Sequence, residues 1–143
     1  VTCVGREHEP SRMRRAVFAY DTTYPQEALP VIPVEFRTQE AVPGLVYEQV
    51  IPDTGADASA LPWADCAQLA LDPRQGVPGL RGGVGAMSAS TIVFAVWASL
   101  DGQTYPCRLQ ADFTGHERIL GRDVLNRFDI LFRGPHQEVV LNP

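Results

Sequence analysis

Over residues 31–37 apolar side chains alternate with polar or small ones, placing Ile32, Val34 and Phe36 on one side, as in a half-buried β-strand. A turn at Pro43-Gly44 follows, and residues 45–51 return as a second strand. The clearest strand pattern covers residues 91–100. Ile92, Phe94, Val96 and Ala98 share one face, and Val93, Ala95 and Trp97 share the other, which predicts cover on both sides. Asp101-Gly102 is a hairpin turn signal, with residues 105–111 as its return strand. Residues 130–132 and 138–141 read as two strands joined by Gly134-Pro135, and residues 14–20 give a weak strand signal. A helical period shows over residues 62–70, with Pro62 in the first turn and Trp63, Cys66, Ala67 and Ala70 on one side, and again over 123–127 after Gly121. Gly79, Gly82, Gly83 and Gly85 make residues 79–86 a turn or loop. The sum is a mostly-β domain of many short strands with two short helices.

Composition narrows the class. The chain of 143 residues fits one domain, and 45% hydrophobic residues are enough for a core. No apolar run reaches membrane-spanning length and the N-terminus lacks a signal-peptide layout, so no membrane partner and a cytoplasmic location are expected. A net charge of −5 argues against nucleic acid as a partner, and Arg12, Arg14 and Arg15 read as a solvated patch. Cys3, Cys66 and Cys107 are odd in number and widely spaced, which predicts buried or free thiols and no disulfide framework. His8, His116 and His136 are far apart, so no metal site and no cofactor is expected.

The chemistry gathers at residues 50–62, VIPDTGADASALP. Asp53 follows an apolar strand, where an ionisable residue is partly desolvated. The Thr54 hydroxyl is suited to lock the turn onto neighbouring backbone, Gly55 permits backbone geometry that a side chain forbids, and Ala56 leaves access. As a bare tripeptide, Asp-Thr-Gly also fits an ordinary loop.

Its context adds more. Asp53-Thr54-Gly55-Ala56-Asp57, with Ser59, Ala60 and Leu61, resembles the active-site segment of the retropepsins, the retroviral-type aspartic proteases. Residues 81–86, Arg-Gly-Gly-Val-Gly-Ala, resemble the glycine-rich tip of that family's flap. Residues 118–125 resemble its hydrophobic-hydrophobic-Gly element, followed by Arg and a helix. The resemblance runs from residue 31 to the C-terminus and implies a retropepsin-like acid-protease fold: a closed, barrel-like β monomer with one flap hairpin and one or two short helices. Residues 31–143 would be the protease domain, and residues 1–30 an N-terminal extension of unassigned role.

The resemblance also implies roles. Asp53, Thr54 and Gly55 would be catalytic. Ala56, Asp57, Ala58, Gly82, Gly83, Val84, Gly85 and Ile119 would contact substrate, in pockets that are mostly apolar. Gly121 would allow close backbone packing beneath the loop, and Arg122 would pair with Asp57 to brace it. Pro52 departs from the family's usual aliphatic residue and lacks the N–H of an ordinary strand position.

Aspartic protease chemistry takes two carboxylates, and this chain has Asp-Thr-Gly once. Asp21-Thr22-Thr23 is the nearest internal alternative, but the residues before it are too few for a second lobe. Two-fold symmetry supplies the other half: a homodimer with Asp53 from each chain, hydrolysing peptide bonds in a peptide or protein substrate without a metal. The other expectation from the same resemblance is a catalytically inactive dimerisation or peptide-binding module.

Overall fold

The computed structural model of the chain describes residues 14–82 and 89–143. Ten strands and two helices follow in order: β1 (Ala16–Ala19), β2 (Ile32–Arg37), β3 (Leu45–Pro52), β4 (Ser59–Pro62), α1 (Trp63–Gln68), β5 (Val77–Arg81), β6 (Ala89–Leu100), β7 (Gln103–Asp112), β8 (Arg118–Leu120), α2 (Arg122–Leu125), β9 (Ile130–Arg133) and β10 (Glu138–Leu141). The main sheet has 7 strands in the order β2-β3-β8-β4-β7-β6-β5. A further β2–β6 pairing, with Phe36 opposite Ala98, closes the strands from β2 to β6 into a barrel and leaves β5 hanging on β6 alone. Closure removes the exposed edges that such short strands would otherwise present.

Alternation builds the interior. In β2, Ile32, Val34 and Phe36 are all fully buried, as their period of two demands. They meet Val50, Leu61, Leu109 and Leu120 in the core. In β6 the inner face, Phe94, Val96, Ala98 and Leu100, is buried, but Ala95 is exposed and Val93 and Trp97 only half-buried. Cover on both faces is therefore not what forms. The outer face of β6 and β7 lies beside α2 as an open groove reaching Trp97, Pro106 and Arg127.

The Asp101-Gly102 turn forms with positive φ at both residues (46° and 78°), the I′ geometry that suits the twist of a hairpin. Residues 79–81, expected as loop, are instead the end of β5, paired from Gly79 opposite Thr91 to Arg81 opposite Ala89. The β-branched start of β6 provides a pairing edge that overrides the glycine signal. Pro62 is the N-cap of α1, so the helix begins one residue later than expected, at Trp63.

A second sheet of 3 strands has the order β1-β10-β9. The C-terminal strand thus folds back on β9 and is flanked on its other side by β1, with Phe18 opposite Val139 and Val139 opposite Phe132. The weak strand signal near residue 16 reflects a short edge strand whose apolar partners lie at the far end of the chain. No helix of the described residues is long and apolar enough to cross a membrane.

Candidate active site

The loop carrying Asp53 joins β3 to β4, and β8 runs between those two strands. β8 is parallel to β3, with Ile51 opposite Ile119, and antiparallel to β4, with Ala60 opposite Ile119. The loop must therefore cross the end of β8 at Leu120-Gly121. This crossing leaves no room for a side chain: a Cβ on Gly121 would sit 2.5 Å from the backbone carbonyl of Ala58. Glycine is what lets the two backbones approach so closely.

Hydrogen bonds fix the turn from several sides. The Asp53 N–H donates to the Leu120 carbonyl (2.9 Å), and the Ala56 N–H donates to the Asp53 carbonyl (3.2 Å). The Gly55 N–H donates to Asp53 Oδ1 (2.8 Å), which orients the carboxylate. From the start of α2, the Arg122 N–H donates to the Ala56 carbonyl (2.8 Å) and Arg122 Nη1 donates to the Thr54 carbonyl (2.8 Å). Arg122 braces the loop, but through backbone carbonyls. No Arg122–Asp57 ion pair forms among the described residues. The main chain of 54–56 lies over the α2 N-terminus and takes the guanidinium there, while Asp57 is exposed. The Thr54 hydroxyl has no hydrogen-bond partner within the described chain, so locking by that hydroxyl is not seen.

Pro52 is accommodated. Successive amides of a strand point to opposite sides, and that of Asp53 goes to β8. The donor missing at Pro52 would therefore point towards β2, whose pairing with β3 ends at Ile32 opposite Val50. Pro52 thus removes no bond that holds the Asp53 loop to β8.

A buried polar layer supports the crossing. Ser59, fully buried, accepts from the Gly121 N–H (3.0 Å) and donates to Asp123 Oδ1 (2.9 Å). Asp123 Oδ2 in turn accepts from the Arg108 N–H (2.8 Å). Further back, Asp65, 6% exposed, takes Arg118 in a two-pronged contact, Nε to Oδ2 at 2.8 Å and Nη2 to Oδ1 at 3.2 Å. The Arg118 guanidinium also lies 4.6 Å from the centre of the Tyr47 ring. Burial, then the nearby Asp65 charge, pushes the Tyr47 phenol up to about 12. Ser59 stands in the segment that resembles the retropepsin active site, and Arg118 and Asp123 in the element that resembles its support, but residue order alone gives none of them, nor Asp65, a partner. Ser59 and Asp123 lie 64 residues apart, Asp65 and Arg118 53, and only the fold brings them together.

Asp53, half-buried, opens on a cleft of about 630 Å³. Of the expected contact residues, Ala56, Asp57, Ala58, Gly82 and Ile119 line it together with Asp53 and Gly55, whereas Thr54 is exposed beside it. Gly83, Val84 and Gly85 lie outside the described residues. The β5–β6 hairpin overhangs the cleft through Leu80, Arg81 and Ala89. The far wall, from β7 and the loop after it, brings Gln110, Asp112 and Thr114, none of which the sequence singled out. The cleft is therefore more polar than expected. Arg81 and Asp112 form an ion pair across it at 2.6 Å.

The remaining candidates take no part in the site. Asp21 lies outside the cleft lining and closes a local turn by accepting from the Thr23 N–H and hydroxyl. Cys66 and Cys107 are buried free thiols, and burial above all pushes Cys66 up to about 11 and Cys107 further, which makes them poor nucleophiles. Among the described residues no cluster of His, Cys, Asp or Glu could hold a metal ion.

No protein-family model matches this chain, and no curated protein matches it. Among solved structures it is similar to EIAV protease complexed with the inhibitor HBY-793, with a TM-score of 0.54 and 30% sequence identity over 73% of this chain and 92% of the other. That likeness spans nearly the whole of the other chain and agrees with the mostly-β closed barrel. The chain belongs to the retropepsin-like family.

Proposed function

We propose that the protein is an aspartic endopeptidase that works as a symmetric homodimer. The observation that carries this reading is Asp53 itself: a half-buried carboxylate on a turn held from β8 and α2, facing a cleft of about 630 Å³. One such turn occurs per chain, and a second copy related by a two-fold axis supplies the other carboxylate. The exposed Thr54 and Gly55 beside Asp53 leave that side accessible to a second chain. Exposed Val17, Leu131 and Phe132 on the edge strands of the terminal sheet offer further apolar contact area.

Two adjacent carboxylates hold one proton between them. The ionised one takes a proton from water as the water oxygen attacks the scissile carbonyl carbon. The protonated one gives its proton to the carbonyl oxygen, so a tetrahedral diol forms. Collapse breaks the C–N bond, the amine nitrogen takes a proton from the dyad, a diol hydroxyl returns one to it as the carbonyl reforms, and an acid and an amine leave. The requirement for one retained proton places activity at mildly acidic pH. The β5–β6 hairpin, with glycines at its end, serves as a flap that closes over substrate.

The test is a mixed peptide library at several pH values, with and without a pepstatin-like inhibitor. Cleavage is expected, suppressed by the inhibitor and reduced at least on the order of a thousandfold in Asp53→Asn. A folded dimer that binds peptides but cuts none at any pH would instead make this a binding module. Sedimentation tests the symmetry separately: an active enzyme that stays monomeric contradicts the dimer.

A further inference from the structure

The cleft wall has a feature that the hydrolytic reaction does not use. Ile119 of β8 lies opposite Ala60 of β4, and Ala60 lies opposite Gln110 of β7, so these three form a row across neighbouring strands. Asp112 is two residues beyond Gln110 and therefore on the same face of β7. All four line the cleft, and Arg81 of the overhanging hairpin is tied to Asp112 at 2.6 Å. The small Ala60 lies between Ile119 and Gln110 in this row, in the same cleft lining as Asp112 and Arg81.

Arg81 meets Oδ2 of Asp112, and the other carboxylate oxygen has partners of its own. Asp112 Oδ1 accepts from the Gly115 N–H (2.9 Å), the Thr114 N–H (3.1 Å) and the Thr114 hydroxyl (3.4 Å). Arg81 has five N–H donors, and among the described residues only Nη1 has a partner. Among the described residues the guanidinium thus keeps donors beyond its contact with Asp112, the arrangement suited to taking a second carboxylate. The other acidic groups of the cleft, Asp53 and Asp57, belong to the loop between β3 and β4, and Arg81 is the one cationic side chain among the described lining residues.

We propose that Arg81 is a specificity-determining residue that selects an acidic side chain of the substrate at one position, on the cleft wall that carries Gln110 and Asp112. This deepens the protease reading and rests on it. Peptides carrying Glu, Gln or Leu in turn at each position around the cut test it. The enzyme is expected to favour Glu over Gln at one position on the order of tenfold in kcat/KM, the scale of one charge-assisted hydrogen bond. Arg81→Leu is expected to erase that ratio and shift the choice to Leu, while Arg81→Lys keeps part of it. Calorimetric binding of the same peptides to Asp53→Asn, with and without Arg81→Leu, reads the preference without turnover. Binding with a Glu preference that Arg81→Leu removes upholds the inference even where nothing is cut, a result that would count against the protease reading alone. Cleavage with no Glu preference at any position, or with one that survives Arg81→Leu, overturns the inference and leaves the protease reading standing. Absence of any peptide binding or cleavage overturns both.

Discussion

The Asp53 loop and the β5–β6 hairpin face the same cleft and are built in opposite ways. The loop is held by strands on both sides, by α2 beyond it and by a buried serine–aspartate layer beneath it. The hairpin arm β5 pairs with one strand only, leaves Val77 66% and Leu80 71% exposed, and reaches the opposite wall through the Arg81–Asp112 pair. The loop is over-determined and the hairpin is not, as the proposed roles of presenting a carboxylate and admitting a peptide would require. Local stability therefore follows the division of labour within one cleft.

Substitutions can break that contrast, and the largest effect is expected where backbones touch. Gly121→Ala forces a methyl group against the Ala58 carbonyl and should cost roughly 3 kcal/mol, a fall in Tm on the order of 10 °C by calorimetry. Arg118→Met leaves Asp65 buried without its partner. Since Arg118 is itself about a third exposed and screened, the expected loss in urea unfolding is about 2 kcal/mol. Ser59→Ala strips the Gly121 N–H and Asp123 of a partner and should cost about 1.5 kcal/mol, with activity falling further than stability explains. In the hairpin, Leu80→Ser should change stability by less than about 0.5 kcal/mol. A loss there as large as that at Gly121 would refute the contrast.

The smallest effect concerns pH. Desolvation acts to raise the Asp112 carboxyl, but hydrogen bonds from the Gly115 N–H, Arg81 and the Thr114 N–H outweigh it and lower the pKa below 3.8. A carboxyl lowered on folding contributes fully above its unfolded value and loses that contribution as pH falls through the folded one. Asp112→Asn should therefore destabilise the protein more at pH 6 than at pH 2, as followed by thermal unfolding at the two values. Equal losses at both would show that the pair contributes through packing and not through charge.

Much of this site could be read from residue order alone, because its parts are local. Asp53-Thr54-Gly55 is contiguous, and Gly121 next to Arg122 marks the crossing and its brace. The partner of Arg122 was not local: the choice between the Asp57 carboxylate and the Thr54 carbonyl depends on how the loop lies over α2. Ser59 looks like any small polar residue until β4 and β8 are side by side. Gly79 misled for the reverse reason, since its tendency to turn yields to the strand opposite it. The hydrophobic pattern located the barrel strands well, yet it overstated the cover on Val93, Ala95 and Trp97, because a strand rich in apolar residues need not have a layer on each side.

β6 belongs to two structures at once. Its first residues pair with β5 in the hairpin, and Trp97, Ala98 and Ser99 pair with β2 at the seam that closes the barrel. Between them, Phe94, Ala95 and Val96 pair with β7 alone among the strands. One unbroken spar thus runs from the mouth of the cleft to the seam of the barrel, with its fulcrum at those three residues. The cleft's entrance and the barrel's closure share one continuous backbone, and a change in the twist of that strand would be felt at both.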